Sequence, residues 1–230
     1  RFAVSNEETR YFLNGIYFHN IIKGDKSILS LVATDGHRLA KFDYTSDNQD
    51  MQKIPAVIIP KKTINELYKL LITFDGDIRI NLDSNKIIFF VGNTILISKL
   101  IDGNFPDYHR VIPSDNKNVL KVNRSSFSLA VDRVSTITSD KSPVIKFTLL
   151  KDIMNMSSVN SENGAATEDI STIYSGEKLE IGFNSKYILE MINNLDAEEI
   201  ILNFKDSSSP VTAIEATNPG LIYVLMPMRV

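Results

Sequence analysis

One stretch of this chain occurs twice in altered form. Residues 57–71 read VIIPKKTINELYKLL, and residues 180–195 read EIGFNSKYILEMINNL. Each starts as a run of β-formers and changes to a helical period, at Pro60 in one and Asn184 in the other. Apolar residues recur at i, i+3, i+4 and i+7: Ile64, Leu67, Tyr68 and Leu71, then Ile188, Met191, Ile192 and Leu195. Pro60 aligns with Asn184, Ile64 with Ile188, and Leu67 with Met191, and an acidic turn and further strands follow in both. Agreement of order and spacing implies two copies of one unit. The fold class this predicts is α+β, with antiparallel sheets and helices on one face.

The remaining pattern fills in each copy. Residues 11–22 are strand material broken by the turn pair Asn14-Gly15, with Tyr11 in a loop. Runs 28–34 and 37–42 flank Asp35-Gly36, which predicts a hairpin with a type I′ turn. Strands are expected at 56–59, 78–82, 87–91 and 94–97. Residues 102–118, DGNFPDYHRVIPSDNKN, read as a connector, which puts the domains at 1–113 and 114–230. The second domain opens with a strand at 120–122 and a helix capped by Asn123 with an apolar face of Phe127, Ala130, Val131 and Val134. The first has no such helix before Arg10, so the chain is expected to begin inside a domain. Strands follow at 144–150 and 153–159, a polar loop at 161–169, then strands at 170–174, 179–183, 200–204 and 211–216. The last strand, 223–225, leads past Pro227 into an apolar tail. Proline cannot donate to a ladder, and methionines suit an adaptable contact surface, so the tail reads as one wall of a hydrophobic groove.

Composition narrows the chemistry. The 230 residues are 43% hydrophobic and 23% charged, with no membrane-length apolar run and no signal peptide at Arg1. The absence of cysteine removes disulfides, thiolate catalysis and cysteine metal sites, and is compatible with a reducing cytoplasm. A net charge of −3 makes the whole molecule no basic nucleic-acid binder. His19, His37 and His109 are scattered, and phosphate-loop, nucleophile-elbow and zinc-protease motifs are missing. Thr34-Asp35-Gly36-His37-Arg38 is the one cluster dense enough to suggest a site. One reading is a small-molecule enzyme or binding protein with a polar site around Asp35, His37 and His109, although no nucleophile can be nominated.

The other reading comes from a resemblance. RYFLNG (10–15), ATDGHRLA (33–40), FPDYHRVIP (105–113) and YVLMPMRV (223–230) resemble, in order and spacing, the bacterial sliding clamp, the β subunit of the replicative DNA polymerase III. The resemblance extends over the whole chain, which looks like the second clamp domain without its first strand and helix, plus the whole third domain. It implies tandem clamp domains with sheets outside and helices lining the DNA side. It also implies a non-catalytic, cofactor-free processivity factor in the bacterial cytoplasm, a head-to-tail homodimeric ring around duplex DNA. Polymerase and clamp-loader subunits would bind it through short Gln-Leu-x-Leu-Phe-like peptides. The implied peptide cleft takes Arg10, Phe12, Leu13, Thr34, Gly36, His37, Arg38, Leu39, Pro106, Arg110 and Val111 from the first three motifs. It takes Tyr187, Val224, Leu225, Met226, Pro227, Met228 and Arg229 from the third domain. Apolar walls would hold a Leu/Phe anchor, with backbone and Arg groups at the rim. Phe12 stands where the family often has tyrosine, His109 where it often has arginine, and Val230 where it often has leucine. The implied DNA-facing set is Tyr11, Lys61, Lys62, Lys69, Arg124, Arg133 and Lys186, and the implied ring contact is at 137–140.

Overall fold

A computed structural model describes residues 1–24, 26–46, 54–139 and 143–230. It divides into two compact units, Arg1–Asp107 and Tyr108–Val230; the sequence boundary at 113/114 lies a little further along. Asp140, one end of the implied ring contact, lies outside the described residues.

Unit 1 begins with a single 3-10 turn, Tyr11–Leu13, where a loop was expected, followed by β1 (Gly15–Lys23), β2 (Lys26–Thr34) and β3 (Arg38–Ser46). Then come β4 (Val57–Pro60), α1 (Lys61–Ile72), β5 (Arg79–Leu82), β6 (Lys86–Val91) and β7 (Thr94–Lys99). Its antiparallel ladders run β3-β2-β1-β4 and β5-β6-β7. Both sheets bury alternate residues, Phe18, Val57, Ile59, Ile87, Phe89 and Val91, and α1 covers them with Ile64, Leu67 and Leu71. The α1 face is incompletely covered in turn: Thr63 is its one fully buried residue. Tyr68, expected on the apolar face, is exposed and lies 3.4 Å beneath the Arg1 guanidinium.

Unit 2 runs β8 (Asn118–Asn123), α2 (Arg124–Ser135), β9 (Val144–Leu150), β10 (Ile153–Asn160), β11 (Gly164–Ser171) and β12 (Ile173–Tyr174). It continues with β13 (Leu179–Asn184), α3 (Ser185–Ile192), β14 (Glu199–Phe204), β15 (Val211–Ile214) and β16 (Leu221–Leu225). One ladder is β11-β10-β9-β13, the other β12-β8-β14-β15-β16. The first repeats the order of β3-β2-β1-β4, and β14-β15-β16 repeats β5-β6-β7, so the duplicated motif is a duplicated topology. Asn123 and Asn184 cap their helices as expected, accepting from the amides of Ser126 and Lys186. Phe127, Ala130, Val131 and Val134 on α2 and Ile188, Met191 and Ile192 on α3 are all buried. Phe127, Phe147 and Phe183 form a ring chain with centroids 5.7 and 5.3 Å apart. Here the two helices pack side by side, which α1 lacks among the described residues.

The loop expected at 161–169 is mostly strand. β11 occupies Gly164–Ser171 and pairs with β10 along its whole length. Apart from Ile170 its residues are small or charged, and all are exposed or half-buried, so no apolar alternation marks it. The ladder holds it, with Asn155 Nδ2 donating to Thr167 Oγ1 (2.9 Å) and Asp169 Oδ1 (2.7 Å).

Candidate functional site

The hairpin between β2 and β3 differs from a type I′ turn. Gly36 alone has positive φ, at 91°, while Asp35 keeps an ordinary φ and caps the turn through its side chain. Asp35 Oδ1 accepts from the amides of His37 (2.9 Å) and Arg38 (3.0 Å), and Oδ2 accepts from Arg38 Nε (3.0 Å). Thr34 Oγ1 closes the other side, donating to the Arg38 carbonyl (2.7 Å) and accepting from the Gly36 amide (3.1 Å). Arg38, expected at a rim, is buried; its Nη2 donates to the Phe2 carbonyl (2.7 Å). His37 is left exposed at the tip, with Leu39 buried behind it.

Arg10 is fastened to the same hairpin. Its Nε and Nη2 form a fork on the Glu7 carboxylate (2.8 and 2.6 Å), and Nη2 also reaches the Asp35 carbonyl (3.3 Å). These hydrogen bonds hold the Glu7 carboxyl below its ordinary range. A Cβ on Gly36 would lie 2.8 Å from Arg10 Nη1, so glycine serves both turn and contact. In the 3-10 turn Tyr11 is exposed, Phe12 half-buried and Leu13 buried. Gly103 faces this turn with φ +141°, where a Cβ would sit 3.2 Å from the Cβ of Phe12.

In unit 2 the expected residues gather at the end of β16. Val224 and Leu225 are buried, whereas Met226 is 41% and Met228 37% exposed. Pairing stops after Leu225, as proline two residues on requires, then resumes once: the Met228 amide donates to the Gly182 carbonyl on β13 (2.8 Å). Pro227 and Tyr187 are half-buried, and Arg229 is exposed. Tyr223 steadies the strand from below, its hydroxyl donating to the Asn194 carbonyl (3.0 Å). Burial, with Glu215 and Asp196 nearby, pushes that phenol up to about 12. Pro106 ends unit 1 exposed, while Arg110 and Val111 are exposed on a 3-10 turn, Tyr108–Val111, in unit 2. Leu13, Leu39, Val224 and Leu225 are thus supporting residues, and His37, Pro106, Val111, Met226 and Met228 are accessible ones.

Most helix cations already have partners. Lys61 Nζ donates to Asn6 Oδ1 (2.9 Å), Lys69 Nζ to Glu66 Oε1 (2.9 Å), and Arg124 Nε to the Ala197 carbonyl (3.1 Å). Arg133 forks onto Glu168 of β11 at 2.9 and 2.5 Å, holding that carboxyl below its usual range. Lys62 and Lys186 are exposed. A shallow depression of about 750 Å³ along α1 is lined by Arg1, Lys61, Lys62, Asn65, Tyr68 and Lys69, among others.

The turn geometry tells against a polar site around Asp35, because that carboxylate is occupied by its own hairpin. Among the described residues no group of three His, Asp or Glu side chains could hold a metal ion. No described helix is long and apolar enough to cross a membrane. Sequence reasoning missed Glu7, Gly103 and Gly182. A glycine inside the apolar run EIGFN was a usable signal, since strand glycines often mark a close backbone approach.

Residues 1–107 match the family described as DNA polymerase III beta subunit, central domain, and residues 109–229 the one described as its C-terminal domain. The beta sliding clamp of Caulobacter vibrioides is 41% identical over 230 residues, covering 100% of this chain and 62% of that protein. That of Escherichia coli K12 is 34% identical over 231 residues, covering 61% of its length. The sliding clamp of Bartonella birtlesii, solved bound to griselimycin, superposes with a TM-score of 0.95 at 46% identity, over 100% of this chain and 61% of that one. A Caulobacter crescentus clamp with polyethylene glycol bound to a putative beta-motif tethering region also gives 0.95, at 41% identity over 100% of this chain and 61% of that one. The chain therefore spans about three fifths of the relatives it matches.

Proposed function

The chain belongs to the β sliding-clamp family of bacterial DNA polymerase III, and on that footing we propose that it serves, without catalysis, in a ring enclosing duplex DNA and tethering polymerases to it. The ring is a head-to-tail homodimer of the full-length protein in the bacterial cytoplasm, with clamp domain II at 1–113 and domain III at 114–230. Its contacts with DNA are sequence-independent and come from Tyr11, Lys61, Lys62, Lys69, Arg124, Arg133 and Lys186. Polymerase and clamp-loader subunits bind through short Gln-Leu-x-Leu-Phe-like peptides. The hairpin residues Thr34 to Leu39 contribute to that binding, with Arg10, Phe12 and Leu13, the connector residues Pro106, Arg110 and Val111, and Tyr187 and Val224 to Arg229.

The observation that carries this reading is the tail. Two methionines stand half-exposed beyond a buried strand end, held in place by a backbone bond. Exposed thioethers on a fixed backbone suit varied apolar side chains. A short peptide buries less than the roughly 1,200 Å² of a stable complex and loses chain entropy, so affinity should be near micromolar, about −8 kcal/mol. Calorimetric titration of a Gln-Leu-x-Leu-Phe peptide, with its leucines and phenylalanine changed to alanine as control, tests it. Equal binding by both peptides, or by neither, removes the assignment. Griselimycin, bound by the Bartonella clamp, should bind this chain too and compete with the peptide.

A further inference from the structure

Gly182 occupies β13 between two core residues, Ile181 and Phe183, and faces the chain's last residues. Its carbonyl accepts from the Met228 amide (2.8 Å). A Cβ built on Gly182 would lie 2.7 Å from the Met228 carbonyl oxygen, closer still to Val230 Cγ1, and 3.4 Å from Val144 Cγ1. The glycine does not lie in the left-handed region. A side chain is therefore excluded by the tail, and not by the backbone conformation of β13.

We propose that Gly182 is the positioning residue of the tail, a notch that fixes where Met226 and Met228 present themselves to a partner peptide. The inference rests on the reading of the tail as a peptide-contacting segment. Leu225 is pinned to Val211 in the β15–β16 ladder, and Met228 is pinned to Gly182. Met226 and Pro227 span the gap between those two points. With the second pin gone, the segment from Met226 onward becomes a free end, and each binding event must order it again. The notch does beforehand what the peptide would otherwise have to do.

The test is Gly182→Ala in the 230-residue chain, read by calorimetric titration of the Gln-Leu-x-Leu-Phe peptide and by amide hydrogen exchange. Affinity should fall about tenfold as the tail loses its preorganisation. The Met228 amide should lose protection while those of β9 and β13 keep theirs. Unchanged affinity despite a released Met228 overturns the proposal, as does an affinity loss that comes only with loss of protection throughout β13. Should that variant not fold, Val230→Ala removes the contact from the tail side and leaves β13 untouched. It should loosen Met228 and weaken binding a few-fold, and no change in either refutes the notch. If the unaltered chain binds no peptide, the peptide-contacting reading fails, while exchange at Met228 still decides whether Gly182 holds the tail.

Discussion

The Asp35 carboxylate accepts from two backbone amides and from Arg38 Nε, so its removal unmakes three hydrogen bonds beside a buried guanidinium. Asp35→Ala should cost about 2–3 kcal/mol in urea unfolding, and Asp35→Asn less, since an amide oxygen can still accept from the turn. Asp206 is a second carboxylate spent on a turn. The Ser208 amide and the hydroxyls of Ser209 and Ser208 hold it at about 2, below its ordinary 3.8. A depressed carboxyl stabilises the fold fully above its ordinary value, and that stabilisation is lost as pH falls through about 2. Stability of the parent chain should therefore fall towards Asp206→Asn between pH 3.8 and 2, as urea midpoints at several pH values would reveal. At this scale the sequence singled out Thr34 to Arg38 as a cluster but could not say which way its charges face. Arg38 and His37 are neighbours in the chain, yet one is buried and the other exposed. That outcome depends on the Phe2 carbonyl, which lies 36 positions away.

At the scale of elements, the three helices share a period but not a degree of burial. Helices α2 and α3 bury several apolar residues each, whereas the apolar face of α1 stays half-covered. Amides of α1 should therefore exchange faster than those of α2, at equal intrinsic rates, when read residue by residue. Equal protection would mean that α1 is held by more than its underlying sheet. Helices and buried strands were legible because each carries its own period, as Ile145, Phe147 and Leu149 do in β9. β11 was not, because its register comes from β10 and its residues are exposed or only half-buried, none of them buried. The tail lay between these cases. Pro227 announced the end of β16, but nothing local pointed to the pairing of Met228 with a strand more than forty positions earlier.

At the scale of the molecule, the repeated ladder orders show one plan used twice. Unit 2 adds β8, α2 and β12 to that plan, and unit 1 shows no counterpart of any of them among its described residues. On the head-to-tail arrangement proposed above, a polypeptide of only these 230 residues should not persist on nicked circular DNA, since such an interface closes only when both complementary faces are present. Retention on circles that disappears on linearisation would refute this. The pairing of the helix cations has a consequence for the ring proposed above. Six lysines and arginines all free to meet phosphate would give a log–log salt slope of about −5. Arg133, Lys61, Lys69 and Arg124 already have protein partners, so phosphates would compete with Glu168, Asn6, Glu66 and the Ala197 carbonyl. Fewer condensed counterions are then released, and affinity for DNA in that ring should vary less steeply with salt than a slope of about −5. In the proposed ring, weak coupling to the counterion atmosphere would leave the duplex without deep electrostatic wells along its length, so that it could turn and translate with little friction.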